Sequence, residues 1–152
     1  MLNPRRRKQS GFTLVELLIV VIVLGILAAV VIPQFNTASS EAKESALVSN
    51  LATIRQAIEL YHVQHADIFP DGATFVTLMT NSTDSSGDTA GDQYGPYIRN
   101  SFPNNPINGL ATVNDGIITA NDSTGWMYDD VSGEFRANAT GQGPSGTNYA
   151  DL

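Results

Sequence analysis

Between Phe12 and Ile32 every residue is apolar or small except Thr13 and Glu16. Phe12 to Ile32, wound as a helix at about 1.5 Å per residue, spans roughly 30 Å, the thickness of a bilayer core. An ionised carboxylate near the start of such a span costs on the order of 3 kcal/mol unless a partner is supplied. Glu16 is therefore the residue whose chemistry most needs a reason. Protonation or a reach toward the headgroups would be the unspecialised outcome; pairing with a cation brought from elsewhere would be the functional one. A second constellation is His62 and His65, three apart with Asp67 close behind. Two imidazoles on one helix make half a metal site, but no third or fourth ligand is signalled, so polar histidines at a helix end are expected. Catalytic signatures are missing. Gly141-Gln142-Gly143 precedes no helix that could cradle phosphate, and no serine stands in a nucleophile elbow.

The elements around these residues follow from the pattern of apolar positions. Residues 1–11 form a leader with four consecutive cations, Arg5-Arg6-Arg7-Lys8, which the positive-inside bias keeps on the cytoplasmic side. An ordinary secretory signal has the same order, but this run is long for its apolar region. It also ends in Ala28-Ala29-Val30-Val31-Ile32-Pro33 without a small-x-small cleavage site. Residues 12–33 read as a transmembrane helix. Pro33 removes one amide donor and sets a kink or a weak point there. Over residues 34–66 the helix continues as an amphipathic one. Phe35, Ala38, Ala42, Ala46, Leu47, Leu51, Ile54, Ile58 and Tyr61 lie on one face, and Arg55 pairs with Glu59 at i,i+4. The helix is expected to end near His65, closed by Asp67 to Gly72 with Pro70.

Residues 67–139 read as a small head. A helical turn is expected over Thr74 to Met79 with Phe75, Leu78 and Met79 inward, then a loop over Asn81 to Gly91. A defined extended loop through Pro103 to Gly109 follows, anchored by Phe102 and Ile107. After it the period becomes two. Leu110–Val113 and Ile117–Thr119 flank Asn114-Asp115-Gly116, a tight-turn signal; Trp126–Tyr128 and Glu134–Ala137 flank a second turn. The predicted fold class is α+β, a long N-terminal helix packed on an antiparallel sheet of about four strands. Residues 140–152, rich in Gly and Ser, are expected to form a flexible tail.

The stretch Gly11-Phe12-Thr13-Leu14-Val15-Glu16-Leu17-Leu18-Ile19-Val20-Val21 behind a basic leader resembles the processing signal of type IV prepilins and type II secretion pseudopilins. That resemblance implies a membrane peptidase that cuts after Gly11 and methylates the new amino terminus at Phe12, with Glu16 and Pro33 serving assembly. The cut turns the Phe12 amide into a cationic amine, so a neighbouring subunit can bring to Glu16 the counter-charge it lacks. Gly95-Pro96-Tyr97-Ile98, Pro103 to Gly109, and the segment from Trp126 to Asn138 are similar to the head of that family. The resemblance also implies calcium as a cofactor, held by last-loop oxygens. Asp115, Asp122, Asp129 and Asp130, with Asn114, are the ligand candidates. This chain lacks the family's usual acidic loop, and a calcium site needs six or more oxygens.

Charge excludes one class of partner. The 152 residues carry eight cations and fifteen acids. Without residues 1–11 only Lys43, Arg55, Arg99 and Arg136 remain, four cations against fifteen acids, or −11. Such a surface does not suit nucleic acid, whose binding rests on neutralised phosphates. No cysteine is present, so the head lacks the disulfide that pins the last loop of many pilins. The expected function is a non-enzymatic structural subunit of a pilus-like filament, assembled from the bacterial inner membrane. The expected orientation is single-pass with a periplasmic head, and the filament lies in the periplasm or at the cell surface. Expected partners are copies of itself, the prepilin peptidase, a secretion or pilus assembly platform, minor pseudopilins and the membrane. The type II secretion pseudopilus is the first reading. The alternatives are a true type IV pilin for adhesion, motility or DNA uptake, and a single-span protein with a periplasmic binding or enzymatic head.

Overall fold

A computed structural model describes residues 11–152; the cation cluster of the leader lies outside the described residues. The chain divides into two compact units, one ending at Ala38 and the other running from Ser39 to Leu152. The architecture is α+β, as the sequence predicts. Helix α1 is Leu14–Gln64, 51 residues in one run with Pro33 inside it. In the first unit every side chain from Leu14 to Ile32 is exposed. A helix apolar on all sides has no face to turn inward, so its burial has to come from lipid or another chain.

In the second unit α1 becomes one-sided. Leu47, Leu51, Ile54, Ile58 and Tyr61 are buried at spacings of three and four, while Glu41, Lys43 and Glu59 are exposed. Each buried Leu or Ile contributes about 1.5–3 kcal/mol. Ala42 and Ala46, expected on the buried face, are exposed; apolar packing begins at Leu47. The helix ends at Gln64 without glycine or proline. Ala66 (φ 56°) and Asp67 (φ 61°) are left-handed, and the Asp67 N–H donates to the His62 carbonyl at 3.0 Å, the six-to-one bond of a Schellman end.

A 3-10 turn, Gly72–Thr74, leads into α2, Phe75–Thr80, which buries Phe75, Leu78 and Met79. Among the described residues the sheet has three strands: β1, Val113–Asp115; β2, Trp126–Tyr128; and β3, Phe135–Ala137, in the order β1-β2-β3. Trp126, Tyr128, Phe135 and Ala137 join the α1 and α2 side chains in one core. Phe75 lies 4.2 Å from the Tyr128 ring and 5.6 Å from Phe135. The Tyr128 hydroxyl donates to the Pro70 carbonyl at 3.1 Å, and Trp126 Nε1 to the Pro103 carbonyl at 3.0 Å. Both aromatic residues thus bury their bodies and satisfy their polar ends.

The sheet departs from expectation in count and direction. β2 and β3 form the predicted hairpin, but β1 pairs with β2 in parallel and Ile117–Thr119 is not a strand. A two-residue primed turn needs positive φ at one or both central positions. Within Asn114-Asp115-Gly116 only Gly116 has it (φ 92°), and its N–H extends the β1–β2 ladder to the Tyr128 carbonyl at 2.6 Å. The chain leaves β1 there, crosses over, and enters β2 through Gly125. A Cβ at that position would overlap the Leu110 carbonyl oxygen, so only glycine admits the approach.

Asparagines hold the connecting loops. Buried Asn105 donates to the Gly125 carbonyl at 2.7 Å, and Asn108 to the Thr124 and Asn138 carbonyls, each at 2.9 Å. Buried Asn138 donates to Asn121 at 3.0 Å and Thr124 at 2.7 Å, and accepts from the Asn121 N–H at 2.8 Å. Residues 140–152, expected as a flexible tail, instead form a bridge between Gln142 and Asn148 and a 3-10 turn, Tyr149–Asp151. Tyr149 and Leu152 pack against the core.

Candidate functional site

The residues that the sequence singles out first meet at the start of α1. Gly11, Phe12 and Thr13 precede the helix, and Phe12 is 76% exposed. A Cβ on Gly11 would meet no atom within 4 Å. Packing within the chain therefore does not call for glycine at this position; an outside group approaching the backbone would.

Glu16 is already engaged. The Thr13 N–H donates to Glu16 Oε2 at 2.8 Å and the Thr13 hydroxyl to the same oxygen at 2.9 Å, while the Glu16 N–H donates to the Thr13 hydroxyl at 3.2 Å. This is a capping box. The carboxylate satisfies donors that the first turn leaves open, at the end of the helix dipole that favours negative charge. The Thr-x-x-Glu spacing signals it, a partnership hidden when Glu16 is read only as a charge in an apolar run. Pro33, the other assembly candidate, stands within α1.

The calcium candidates do not converge. Asp122 accepts the Thr140 N–H at 3.0 Å and also the Thr140 hydroxyl; these bonds hold its carboxyl below the usual range. Asp129 accepts the Ser132 hydroxyl and the Ser132 N–H at 3.3 Å, and is lowered chiefly by that hydroxyl. Asp115 ends β1 and Asp130 sits in the β2–β3 turn. Among the described residues no three His, Asp or Glu side chains gather as a metal site would require. The Asp129 carboxylate serves its own turn, and Asp122 ties its loop to Thr140.

His62 and His65 differ from the expected pair of surface histidines. His62 stacks on Phe69 at 4.0 Å. His65 is 3% exposed and stacks on Tyr61 at 3.8 Å. Its Nδ1 lies 2.9 Å from the Tyr61 carbonyl, and its Nε2 lies 3.1 Å from the Thr83 hydroxyl and 2.9 Å from the Asp84 carbonyl. It fastens the loop after α2 to the end of α1. Arg55, expected beside Glu59, reaches across the head instead. Its Nε and Nη2 donate to the Phe135 carbonyl at 3.1 and 2.9 Å, and its Nη1 to the Leu152 carbonyl at 2.9 Å. A buried carbonyl offers a guanidinium more than a solvated i,i+4 partner does. No local spacing signals either arrangement.

Residues 6–32 match the prokaryotic N-terminal methylation motif. The chain is 41% identical over 61 residues to the type II secretion system core protein G of Pseudomonas aeruginosa, covering 40% of this chain and 43% of that one. It is 28% identical over 102 residues to the core protein G of Aeromonas hydrophila, covering 67% and 70%. To the type IV major fimbrial protein FimA of Dichelobacter nodosus it is 40% identical over 91 residues, 57% of each chain. The first of these matches thus spans under half of the relative's length. No solved structure matches. The N-terminal methylation motif thus lies over the exposed apolar start of α1, and the chain is similar to the type II secretion core G proteins and to a type IV major fimbrial protein.

Proposed function

We propose that the chain is a structural subunit of a pilus-like filament, the type II secretion pseudopilus, and is not an enzyme. It is made as a membrane-anchored precursor, cut after Gly11 and methylated at Phe12. The observation that carries this reading is the fully exposed apolar helix from Leu14 to Ile32 joined to the methylation motif. Once withdrawn from lipid, that surface has to be covered, and copies of the same helix cover it with matched length and chemistry. Residues 12–33 span the inner membrane once and the head lies in the periplasm, since the leader's cations favour the cytoplasmic side. Residues 34–66 carry the helix into the head, and Pro33 marks the point where it leaves lipid. The partners are the prepilin peptidase, an assembly platform, minor pseudopilins and further copies. The similarity to a fimbrial protein at 40% identity supports a second reading, a true type IV pilus subunit.

Two measurements on cells overproducing the protein test the proposal. Mass spectrometry of the mature chain should find a methylated N-terminal Phe12, and replacing Gly11 by a bulky residue should leave the precursor uncut. Electron microscopy should show filaments that antibodies to the head decorate. An intact Met1 terminus in assembled material, or a cut beyond Pro33, would sink the processing site; processed protein that never forms filaments would sink the structural role.

A further inference from the structure

The outer edge of β3 is covered, with Phe135 and Ala137 each 1% exposed. Met127↔Arg136 and the flanking bonds from Asp129 N–H to Glu134 and from Asn138 N–H to Gly125 direct alternate residues toward β2. Phe135 and Ala137 therefore turn their backbone groups to the other side, where an edge strand offers them to any extended chain. The guanidinium of Arg55 takes the Phe135 carbonyl through Nε and Nη2. Its remaining arm holds Leu152, whose segment lies beside β3 through the turn Tyr149–Asp151.

The same segment has a second anchor. Ser145 donates its N–H to Glu44 at 3.2 Å and its hydroxyl to the other carboxylate oxygen. Gly143 lies so close that a Cβ there would overlap that carboxylate. Between the anchors the segment is bonded to itself, Gly143 N–H to Thr147 at 3.0 Å and Tyr149 N–H to Gly141 at 3.1 Å. Glu44 and Arg55 stand eleven positions apart in α1, about three turns, and so share one face.

We infer that Arg55 and residues 140–152 form an edge guard that stops β3 from pairing with β3 of a second copy. The occupant is a second copy because β3 is short and its two outward residues are complementary to themselves in an antiparallel, two-fold arrangement. Without a disulfide in the chain, closure rests on these polar anchors and on Tyr149 and Leu152. The inference stands whether or not the filament reading does.

The test uses the full chain in detergent, with Arg55→Met, a deletion of residues 142–152, and Glu44→Gln. Buried Trp126, the only tryptophan, reports folding by its emission. Arg55→Met and the deletion should keep Trp126 buried and make exchange at the Phe135 and Ala137 amides about tenfold faster or more in dilute protein. Both should then regain protection as dimers form at higher concentration. Glu44→Gln should speed exchange over 141–148 and leave β3 unchanged, since Arg55 still holds both Phe135 and Leu152. Variants that stay folded and no more dimeric than the parent at every concentration overturn the inference. So does exposure of Trp126 in both Arg55→Met and the deletion, which would make the segment part of the core and not a guard.

Discussion

In the proposed filament Glu16 would hold two positions in turn. In the isolated chain its carboxylate is taken by Thr13, which lowers the cost of carrying it at the start of an apolar helix. A neighbour's Phe12 amine would offer a full positive charge in place of an amide N–H and a hydroxyl, and charge-assisted bonds are roughly twice as strong as neutral ones. Glu16→Leu should therefore keep membrane abundance and peptidase cleavage but lose filaments, because the amine then enters the filament uncompensated at a cost of about 3–5 kcal/mol. Glu16→Gln should be milder, since its amide oxygen still accepts from Thr13 and from the amine. Filament yield measured beside the membrane fraction decides; normal filaments from Glu16→Leu would remove Glu16 from assembly.

At the scale of elements, the short strands of the head depend on side-chain amides. Asn138 follows β3 directly and is fully buried, and its amide joins the crossover between β1 and β2 to the end of the hairpin. Removing that amide takes the acceptor from the Asn121 N–H and one donor from the Thr124 hydroxyl, which still donates to the Trp126 carbonyl, and leaves a void. Asn138→Ala is expected to cost about 1–3 kcal/mol in all, since Asn121 is exposed and Thr124 half-buried, so water takes up part of what the amide held. The measurement is thermal unfolding followed at Trp126, which should move to lower temperature while α1 helicity in detergent is kept. An unchanged midpoint would mean that the crossover does not need this amide. The parallel pairing of β1 belongs to the same scale: residues 110–119 alternate like a hairpin, but their backbone angles and the Gly125 approach favour a crossover.

For the whole molecule, titrating groups outside the apolar start of α1 set the pH range of the head. Asp84, Asp122 and Asp129 are held low chiefly by the hydroxyls of Ser86, Thr140 and Ser132. Their folded values lie below their unfolded ones, so the stability they contribute is present above about pH 4 and is lost as pH falls further. Burial pushes the phenols of Tyr61, Tyr97 and Tyr128 up, Tyr128 farthest. Raised values work in the opposite sense: their contribution is present below about pH 10 and is lost above it. The unfolding midpoint of the head should be nearly level between these limits and fall at both ends. Tyr128→Phe should flatten the alkaline limb, and Asp122→Asn part of the acid limb. An alkaline limb unchanged by Tyr128→Phe would reject the buried phenol as its cause.

How much of this was legible in one dimension depended on the reach of the interaction. Sequence by itself determined the exposed apolar helix, the Gly11–Glu16 signal, the one-sided packing from Leu47 to Tyr61, α2 and the β2–β3 hairpin. Each rests on contacts or periodicities within a few residues, or on a surface that no local folding can bury. Tertiary structure alone decided that Arg55 bonds Phe135 and Leu152, that His65 is buried against Thr83 and Asp84, that β1 lies parallel to β2, and that residues 140–152 pack on the head. Those outcomes join positions far apart in the chain. A guanidinium or an imidazole carries no mark of which distant carbonyl will be left without a donor, and only the folded backbone brings that carbonyl within reach.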